Sequence, residues 1–467
     1  MRTVGALDPD LLRRYDTAGP RYTSYPTARE FTPDFGEAQY RRHILFGDRR
    51  AAAPLSLYVH IPFCESPCFY CGCNRLITRD RAAADRYLDH LSREISLIAP
   101  LFGDDRPVRQ LHLGGGTPNF LSPRQLSRLI EALGRGFLLS SRGDRDYSVE
   151  LDPRWLSSGF LDTLAALGFN RASFGVQDFD PDVQRAVNRI QSEAQTLEAI
   201  AQCRERGFRS INVDLLYGLP RQTCEGFGRT LSAVVRARPQ RIAVYGYAHL
   251  PQLFKAQRQL DATELPTAEI RLALLRLAIE RLGAAGYRYI GLDHFALPED
   301  ELAQARERGD LHRNFMGYTT HADCDLIGLG VSAISHVDDC FSQNHRDLKA
   351  WEAALDSGRL PIWRGLAASF DDIARADVIQ RLMCQGVIDI RAVEARHGIV
   401  FDEYFAEACV KLAPLQADGL VTVGPREIKA TDRGQLLLRL IAMCFDRYLG
   451  PRAGAASAEP PRFSRVI

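Results

Sequence analysis

The sequence predicts an α/β fold: a parallel, partly closed barrel with an N-terminal extension and a mainly helical C-terminal domain. Three observations predict it. Short β-rich runs recur ahead of longer amphipathic stretches, polar residues cluster just after those runs, and the rhythm stops near Asp371. The runs are Leu57–Ile61, Gln110–Leu113, Tyr147–Leu151, Ala172–Val176, Ile211–Leu215 and Ile242–Tyr247. Between them lie Ala82–Ile98, Pro123–Phe137, Ser192–Arg206 and Gly226–Arg236, each long enough for the crossover helix that parallel strands require. The expected divisions are an extension over 1–54, a barrel over 55–295, a barrel extension over 296–370 and a C-terminal domain over 371–467.

Taken in order, the N-terminal run GPRYTSYPTA (Gly19–Ala28) is broken by prolines and cannot be a helix. The strand-like runs then alternate with helices up to Tyr247. Beyond Asp371 come helical segments, the run DGLVTVGPREIKAT and the amphipathic Asp432–Leu449, a hairpin and helix in the manner of a winged helix. The tail after Gly450 is rich in Ala, Pro and Ser and ends in FSRVI.

Composition limits the partners. The 467 residues are 46% hydrophobic and 25% charged, enough for a large core and more than one domain. Lys and Arg number 59 against 58 Asp and Glu, leaving a net charge of +1 with no global pull toward nucleic acid or an anionic membrane. The winged-helix shape invites a DNA-binding reading, but Asp432–Leu449 carries no dense basic stripe, so the region is expected to pack or cover. The first residues have no signal-like apolar stretch, and later apolar runs are broken by charge before membrane-spanning length. The chain is expected to be soluble and cytoplasmic.

Four cysteines, Cys64, Cys68, Cys71 and Cys73, fall within ten residues in HIPFCESPCFYCGC, while the other seven of the eleven are scattered singly. Thiolates spaced C-x3-C-x2-C on one loop are suited to three corners of an iron–sulfur cube, leaving the fourth iron open. A structural zinc site is the alternative, although no second Cys/His pair lies nearby. A disulfide is weaker, since pairs this close in sequence are strained. The one-residue spacer before Cys73 is expected to turn its side chain away from the other three.

Further polar groups follow the strand-like runs: Gly114-Gly115-Gly116-Thr117-Pro118 after the second, Glu150 ending the third, Gln177 after the fourth, Asp214 within the fifth, and Ala248-His249 after the sixth. In a parallel barrel these positions share one mouth. Each has an ordinary structural reading as a turn, cap or ion-pair partner.

The spacing C-x3-C-x-aromatic-C resembles the signature of the radical S-adenosylmethionine (SAM) enzymes. The added Gly72-Cys73 narrows the resemblance to the oxygen-independent coproporphyrinogen III oxidase type, over nearly the whole chain. The resemblance implies a (β/α)6 three-quarter barrel like part of a TIM barrel. It implies one [4Fe-4S] cluster on Cys64, Cys68 and Cys71, and two SAM molecules per chain. Tyr58, Tyr70, Gly115, Glu150 and Ile334 would line the first SAM site; Gly116, Thr117, Gln177, Arg189, Asp214 and Ala248 would line the second. Glu150 and Asp214 would hold ribose hydroxyls, and the glycines would let backbone carbonyls approach the SAM ammonium. Tyr70 stands where the family is expected to carry phenylalanine, keeping the ring and adding a hydroxyl.

The implied reaction begins when the reduced cluster gives one electron to SAM, releasing methionine and a 5′-deoxyadenosyl radical. The radical takes a β-hydrogen from a propionate of coproporphyrinogen III, and loss of CO2 and an electron leaves a vinyl group. Two such events give protoporphyrinogen IX. The resemblance also brings the N-terminal run near the active site, with Arg21 and Tyr22 as candidates for substrate carboxylates and Cys73 as a further functional candidate. The stretch Leu311–Asn314 through Gly317–Thr320 also matches the family, and its residues are further candidates. A reduced flavodoxin or ferredoxin is the expected donor and a monomer the expected state. Competing readings on the same fold are a haem chaperone, which would lack the fourth cysteine and the N-terminal run, and a radical SAM methyltransferase or haem-opening enzyme, which would need other residues at the second site.

Overall fold

The structure, a computed structural model, describes residues 17–47 and 53–449 together with Leu11, Arg14 and Tyr15. The tail after Gly450 and most of the stretch before residue 17 lie outside the described residues. Two units divide the chain: one holds 30–266 and 323–367, the other 1–29, 267–322 and 368–467.

The first unit is built on strands β1 (Leu55–Ile61), β2 (Pro107–Gly115), β3 (Asp146–Leu151), β4 (Arg171–Gln177), β5 (Ser210–Tyr217) and β6 (Arg241–Gly246). Every expected strand is present within three residues at either end. A seventh parallel strand, β7 (Asp325–Leu329), pairs with the free side of β1, with Leu57 opposite Ile327. Antiparallel strands β8 (Ile334–Val337), β9 (Cys340–Asn344) and β10 (Ile362–Ala367) continue from it. The order β6-β5-β4-β3-β2-β1-β7-β8-β9-β10 does not return on itself, so the barrel is open. The sequence reading counted six parallel strands because β7, only five residues long, carries a glycine where β-branched residues would have signalled it.

Crossovers run through α1 (Ala82–Ile98), α2 (Pro123–Gly136), α3 (Ser158–Ala166), α4 (Pro181–Ala186), α5 (Glu193–Glu205) and α6 (Cys224–Ala237). Local chemistry starts several of them. Ser122 caps α2 in a reciprocal box with Gln125, Pro123 opens its first turn, and Ser192 and Thr223 accept from Gln195 N–H and Gly226 N–H. Helices α3 and α4 are too short for the periodicity used to find the others.

Strand alternation sorts the side chains. Leu57, Val59, Leu111, Leu113, Val149, Phe174, Val213, Leu215 and Val244 are buried apolar residues, each fully buried one contributing about 1.5–3 kcal/mol over exposure. The intervening positions, Tyr58, His60, His112, Glu150, Ser173, Asn212 and Asp214, form a polar row across five strands. One face of this sheet is core; the other carries the polar row.

In the second unit, helix Phe370–Gln385 starts at a Ser369–Asp372 capping box. Strands Val387–Asp389, Glu427–Ala430 and Val421–Val423 pair antiparallel in that order beside helices Ile390–His397 and Ala406–Ala417. This is the expected winged-helix pattern. The following helix is not continuous as expected: it breaks into Gly434–Leu437, Leu438–Met443 and Arg447–Leu449. Asp446 ends the helical run by accepting from the Tyr22 hydroxyl (2.9 Å) and the Tyr448 N–H (2.8 Å).

Tyr22 and Tyr25 belong to the same buried cluster as Leu382, Phe401, Ile428 and Phe445. Arg439 donates to the carbonyls of Pro20 (3.0 Å) and Gly19, and Arg21 is ion-paired with Asp293. The N-terminal run, expected to serve substrate rather than folding, is therefore part of this unit's core, because its two tyrosine rings are buried there.

Candidate functional site

The Cys loop leaves the end of β1 from a fixed exit. Gly116 N–H donates to Ile61 O and Thr117 N–H to Phe63 O, both at 2.8 Å, tying the ends of β1 and β2 together. Leu76 N–H returns to Pro62 O at 2.6 Å and closes the loop's base. Gly116 has no room for a side chain, since a Cβ there would stand 2.6 Å from Phe63 O. Gly115, at φ +115°, would press a Cβ to 2.7 Å from the His60 ring. These glycines, expected to admit a ligand's ammonium, first of all let the two strand exits and His60 pack.

His60 is buried, and that burial pushes its imidazole below its ordinary value; its Nε2 bonds Asn74 O at 2.8 Å and its Nδ1 the Tyr58 hydroxyl at 3.0 Å. Inside the loop, Asn188 donates to Pro67 O (2.7 Å), Phe69 N–H to Val187 O (3.0 Å) and Cys71 N–H to Cys68 O (3.2 Å). The segment carrying Cys68 and Cys71 is thus pinned to the turn after α4.

The four thiols differ. Burial pushes Cys64 up to about 12. Cys71 is pushed down to about 6, first by a side-chain hydrogen bond from Cys73 and further by Arg75 and Arg189 against the cost of burial. Cys73 is raised by the same bond, and its N–H lies 3.4 Å from the Cys71 sulfur. The expectation that Cys73 turns away from the other three does not hold: after Gly72 the chain curls back, bringing both its N–H and its thiol to Cys71.

Cys68 is the most enclosed, 7% exposed, and two guanidinium groups flank it. Arg154 Nη2 lies 3.6 Å and Arg189 Nη1 3.5 Å from its sulfur, and both also reach Asp152 Oδ2, at 2.6 and 3.2 Å. Arg189 is buried, not an exposed helix arginine, and its fork is engaged with Asp152 and Gly175 O. Opposed by its two arginines, burial fails to raise Asp152, whose carboxyl lies below the usual range. Two guanidinium N–H donors are thus aimed at one sulfur.

Deeper in the polar row, the Tyr58 ring stacks on His112 at 5.8 Å between centroids. His112 bonds Ser148 Oγ (2.6 Å) and Glu150 Oε1 (3.3 Å), and Gly115 N–H donates to Glu150 Oε2 (3.1 Å). Burial alone would raise Glu150, but His112, Gly115 N–H and His60 outweigh it, so the carboxyl lies below its ordinary value. Two strands away, Asp214 accepts from Ser173 Oγ (3.1 Å) and Asn212 Nδ2 (2.9 Å). Burial, aided by the charge of Glu150, pushes it up to about 6.

Of the other expected residues, Thr117 donates to Asn119 (2.6 Å), Tyr70 O and Ala248 O both accept from Gln257 Nε2 (3.0 and 3.2 Å), Gln177 ends β4 at φ +68°, and Ile334 opens β8. All of these belong to the barrel unit; Arg21 belongs to the other. The sequence reading missed His60, His112, Asp152 and Arg154. Its available signal was period-2 alternation, which puts His60 with Tyr58 and His112 with Gly114 on the inner face.

Comparison with known proteins agrees with this geometry. The model of the radical SAM superfamily matches residues 58–234, and that of the HemN C-terminal domain matches residues 369–437. Oxygen-independent coproporphyrinogen III oxidases are similar along their length: 49% identity for that of Pseudomonas aeruginosa and 48% for that of Escherichia coli K12, each covering 98% of both chains. The solved structure of the Escherichia coli coproporphyrinogen III oxidase, described as a radical SAM enzyme, superposes with a TM-score of 0.90 at 47% identity, covering 95% of this chain and 99% of that one.

Proposed function

The chain belongs to the oxygen-independent coproporphyrinogen III oxidases of the radical SAM superfamily, and on that premise we propose that it converts two propionate side chains of coproporphyrinogen III to vinyl groups, giving protoporphyrinogen IX. The observation that carries the reading is the loop Cys64–Cys73, fixed at the mouth of an open parallel barrel whose inner face presents Glu150 and Asp214 on separate strands.

Cys64, Cys68 and Cys71 would hold a [4Fe-4S] cluster. The donor set fits: three thiols on one loop, one of them pushed down to about 6 and another facing two guanidiniums. When bound, the cluster and SAM supply the one-electron chemistry that removes a hydrogen atom from the substrate. The chain itself binds, orients and shields. Glu150, ionised and held by Gly115 N–H and His112, is suited to accept ribose hydroxyls with Tyr58, Tyr70, Gly115 and Ile334 around it. Asp214, anchored by Ser173 and Asn212, is suited to the same task at a second site with Gly116, Thr117, Gln177, Arg189 and Ala248. That makes two SAM molecules per chain. Two carboxylates with separate anchors two strands apart support the count.

A reduced flavodoxin or ferredoxin would supply the electron to a monomeric enzyme. Eleven free thiols support a reducing, cytoplasmic setting. Among the described residues no helix is long and apolar enough to cross a membrane. The test is anaerobic incubation of the reconstituted protein with coproporphyrinogen III, SAM and a reductant, followed by mass. A tetrapyrrole lighter by two CO2 and four hydrogens bears the reading out; an unchanged tetrapyrrole under SAM turnover refutes it.

A further inference from the structure

Between the last clustered cysteine and α1 the chain runs Asn74-Arg75-Leu76-Ile77-Thr78-Arg79. Leu76–Ile77 forms a two-residue parallel ladder with Phe63–Cys64, Ile77 standing opposite Cys64, and Thr78 N–H donates to Cys64 O at 3.0 Å. Consecutive strand residues point to opposite faces, yet Leu76 is 40% and Ile77 41% exposed, so neither face of this strand is covered. Two adjacent aliphatic side chains in the open do little for the fold; rimmed by charge they make a small contact surface.

The rim is basic. Arg75 is half-buried, with Nη2 donating to Cys68 O at 3.1 Å. Arg79 is exposed, and so is Arg346, which is tied to the same loop because Asn74 Nδ2 donates to its carbonyl at 3.0 Å. None of these three guanidiniums meets a carboxylate among the described residues. The acids on the same segments are engaged: Glu65 pairs with Arg81, Asp80 with Arg86 at 3.0 Å, and Asp347 caps the helix Leu348–Asp356 by accepting from Ala350 N–H at 2.9 Å. In a chain whose net charge is only +1, this is a local excess of positive charge beside the Cys loop. Every residue named here belongs to the barrel unit.

The function proposed above requires an electron to reach a cluster on Cys64, Cys68 and Cys71, and electron transfer slows steeply with distance. The exposed strand is one ladder rung from Cys64, and Arg75 is one hydrogen bond from Cys68. We propose that Arg75, Leu76, Ile77, Arg79 and Arg346 form the docking surface for the electron donor, a one-electron carrier protein with an acidic rim around its prosthetic group. This deepens the function proposed above and rests on it, naming where the donor lands and by what chemistry. The carrier loses one electron, the oxidised cluster gains it, and no bond forms or breaks. A small apolar centre within a charged rim suits a brief encounter, with attraction speeding arrival and a small interface permitting release.

The test uses the reconstituted full chain and, as probe, flavodoxin, an acidic flavoprotein, mixed anaerobically in a stopped-flow spectrometer. Cluster reduction by reduced flavodoxin should slow with added salt in the parent, and the double variant Arg79→Glu, Arg346→Glu should slow it about 10- to 100-fold at low salt. The pair Leu76→Ser, Ile77→Ser should weaken calorimetric binding of oxidised flavodoxin while keeping the salt dependence. Dithionite should reduce parent and variants nearly alike. Arg142→Glu, a reversal at an exposed arginine that precedes β3 at the opposite ends of the strands, should leave the flavodoxin rate unchanged. Equal flavodoxin rates in parent and double variant overturn the proposal, as does an equal loss with dithionite, an equal loss in Arg142→Glu, or a parent that dithionite reduces and flavodoxin does not. Should the double variant fail to fold, Arg79→Gln, Arg346→Gln decides on the same criteria; if neither folds, the arginines are structural and the proposal falls. Dithionite-driven turnover of coproporphyrinogen III reads the function separately: a parent that takes electrons through this face and makes no protoporphyrinogen keeps the docking surface and removes the oxidase reading.

Discussion

One nitrogen of Arg189 joins it to two partners at once: Nη1 lies 3.2 Å from Asp152 Oδ2 and 3.5 Å from the Cys68 sulfur. Arg154 makes the same double contact from the other side, so a single carboxylate aligns two cations on one thiol.

From this follows a redox prediction. Hydrogen bonds and positive charge near a cluster sulfur raise its reduction potential. Arg189→Met should therefore move the reconstituted cluster's midpoint to a more negative value in an EPR-monitored titration, without loss of iron. An unchanged or more positive midpoint would show that the contact does not reach the cluster.

The ligand assignment gives a second. Alanine at Cys64, Cys68 or Cys71 should abolish iron retention and the visible absorption of the reconstituted protein. Cys73→Ala should keep both, because Cys73 meets the site through Cys71. Iron loss in all four variants would make Cys73 a ligand.

Asp214 predicts a pH-dependent stoichiometry. Its carboxyl is pushed up to about 6, whereas Glu150 is held below the ordinary range and stays ionised. As pH falls through about 6, Asp214 takes up a proton and loses its charge first. Equilibrium dialysis should count two SAM per chain near pH 8 and approach one near pH 5, and Asp214→Asn should give about one throughout. Two equivalents at every pH in that variant would break the assignment.

Glu94, on α1, is buried and pushed up to about 7 by that burial, although Gly330 N–H (2.9 Å), Asn344 (2.6 Å) and Trp351 (3.2 Å) all donate to it. A carboxyl whose folded value lies above its unfolded one holds its proton better when folded. Its contribution is therefore present at low pH and lost as pH rises from about 4.5 to about 7. Denaturant titrations should show the barrel unit losing on the order of 1–3 kcal/mol across that window. Glu94→Gln should flatten this dependence, whatever its effect on the baseline.

In the other unit, Tyr22→Phe leaves Asp446 without its buried donor and should cost about 1–3 kcal/mol. Deleting residues 1–28 should go further, making the C-terminal helices cleavable under limited proteolysis while the barrel resists. A truncated chain as resistant as the full one would return the N-terminal run to the status of a linker.

The barrel strands and the Cys loop were legible in sequence because both depend on local pattern: apolar alternation for one, cysteine spacing for the other. Strand β7 was not read as part of the parallel set, since its partner β1 lies some 270 residues earlier and pairing at that range leaves no local mark. Asp152, Arg154 and His60 were missed for a similar reason. Each is ordinary in its own neighbourhood and is singled out only by contacts the fold makes: Arg154 with Cys68, Asp152 with Arg154 and Arg189, and His60 with Asn74. Arg21 and Tyr22 were read as candidates for substrate carboxylates, and Asp293 and Asp446, the residues that engage them in the fold, are too distant in sequence to be read from it.

The backbone bonds that tie Gly116 to Ile61 and Thr117 to Phe63 involve no cysteine and no iron. A small zinc domain dissolves when stripped of its ion, because the ion is its core. Here the apolar face of the barrel is the core, and the metal loop hangs from a seam already sewn. Oxygen damage to the cluster should therefore injure the enzyme without unfolding it, and refilling the folded protein with iron and sulfide should restore what the damage removed.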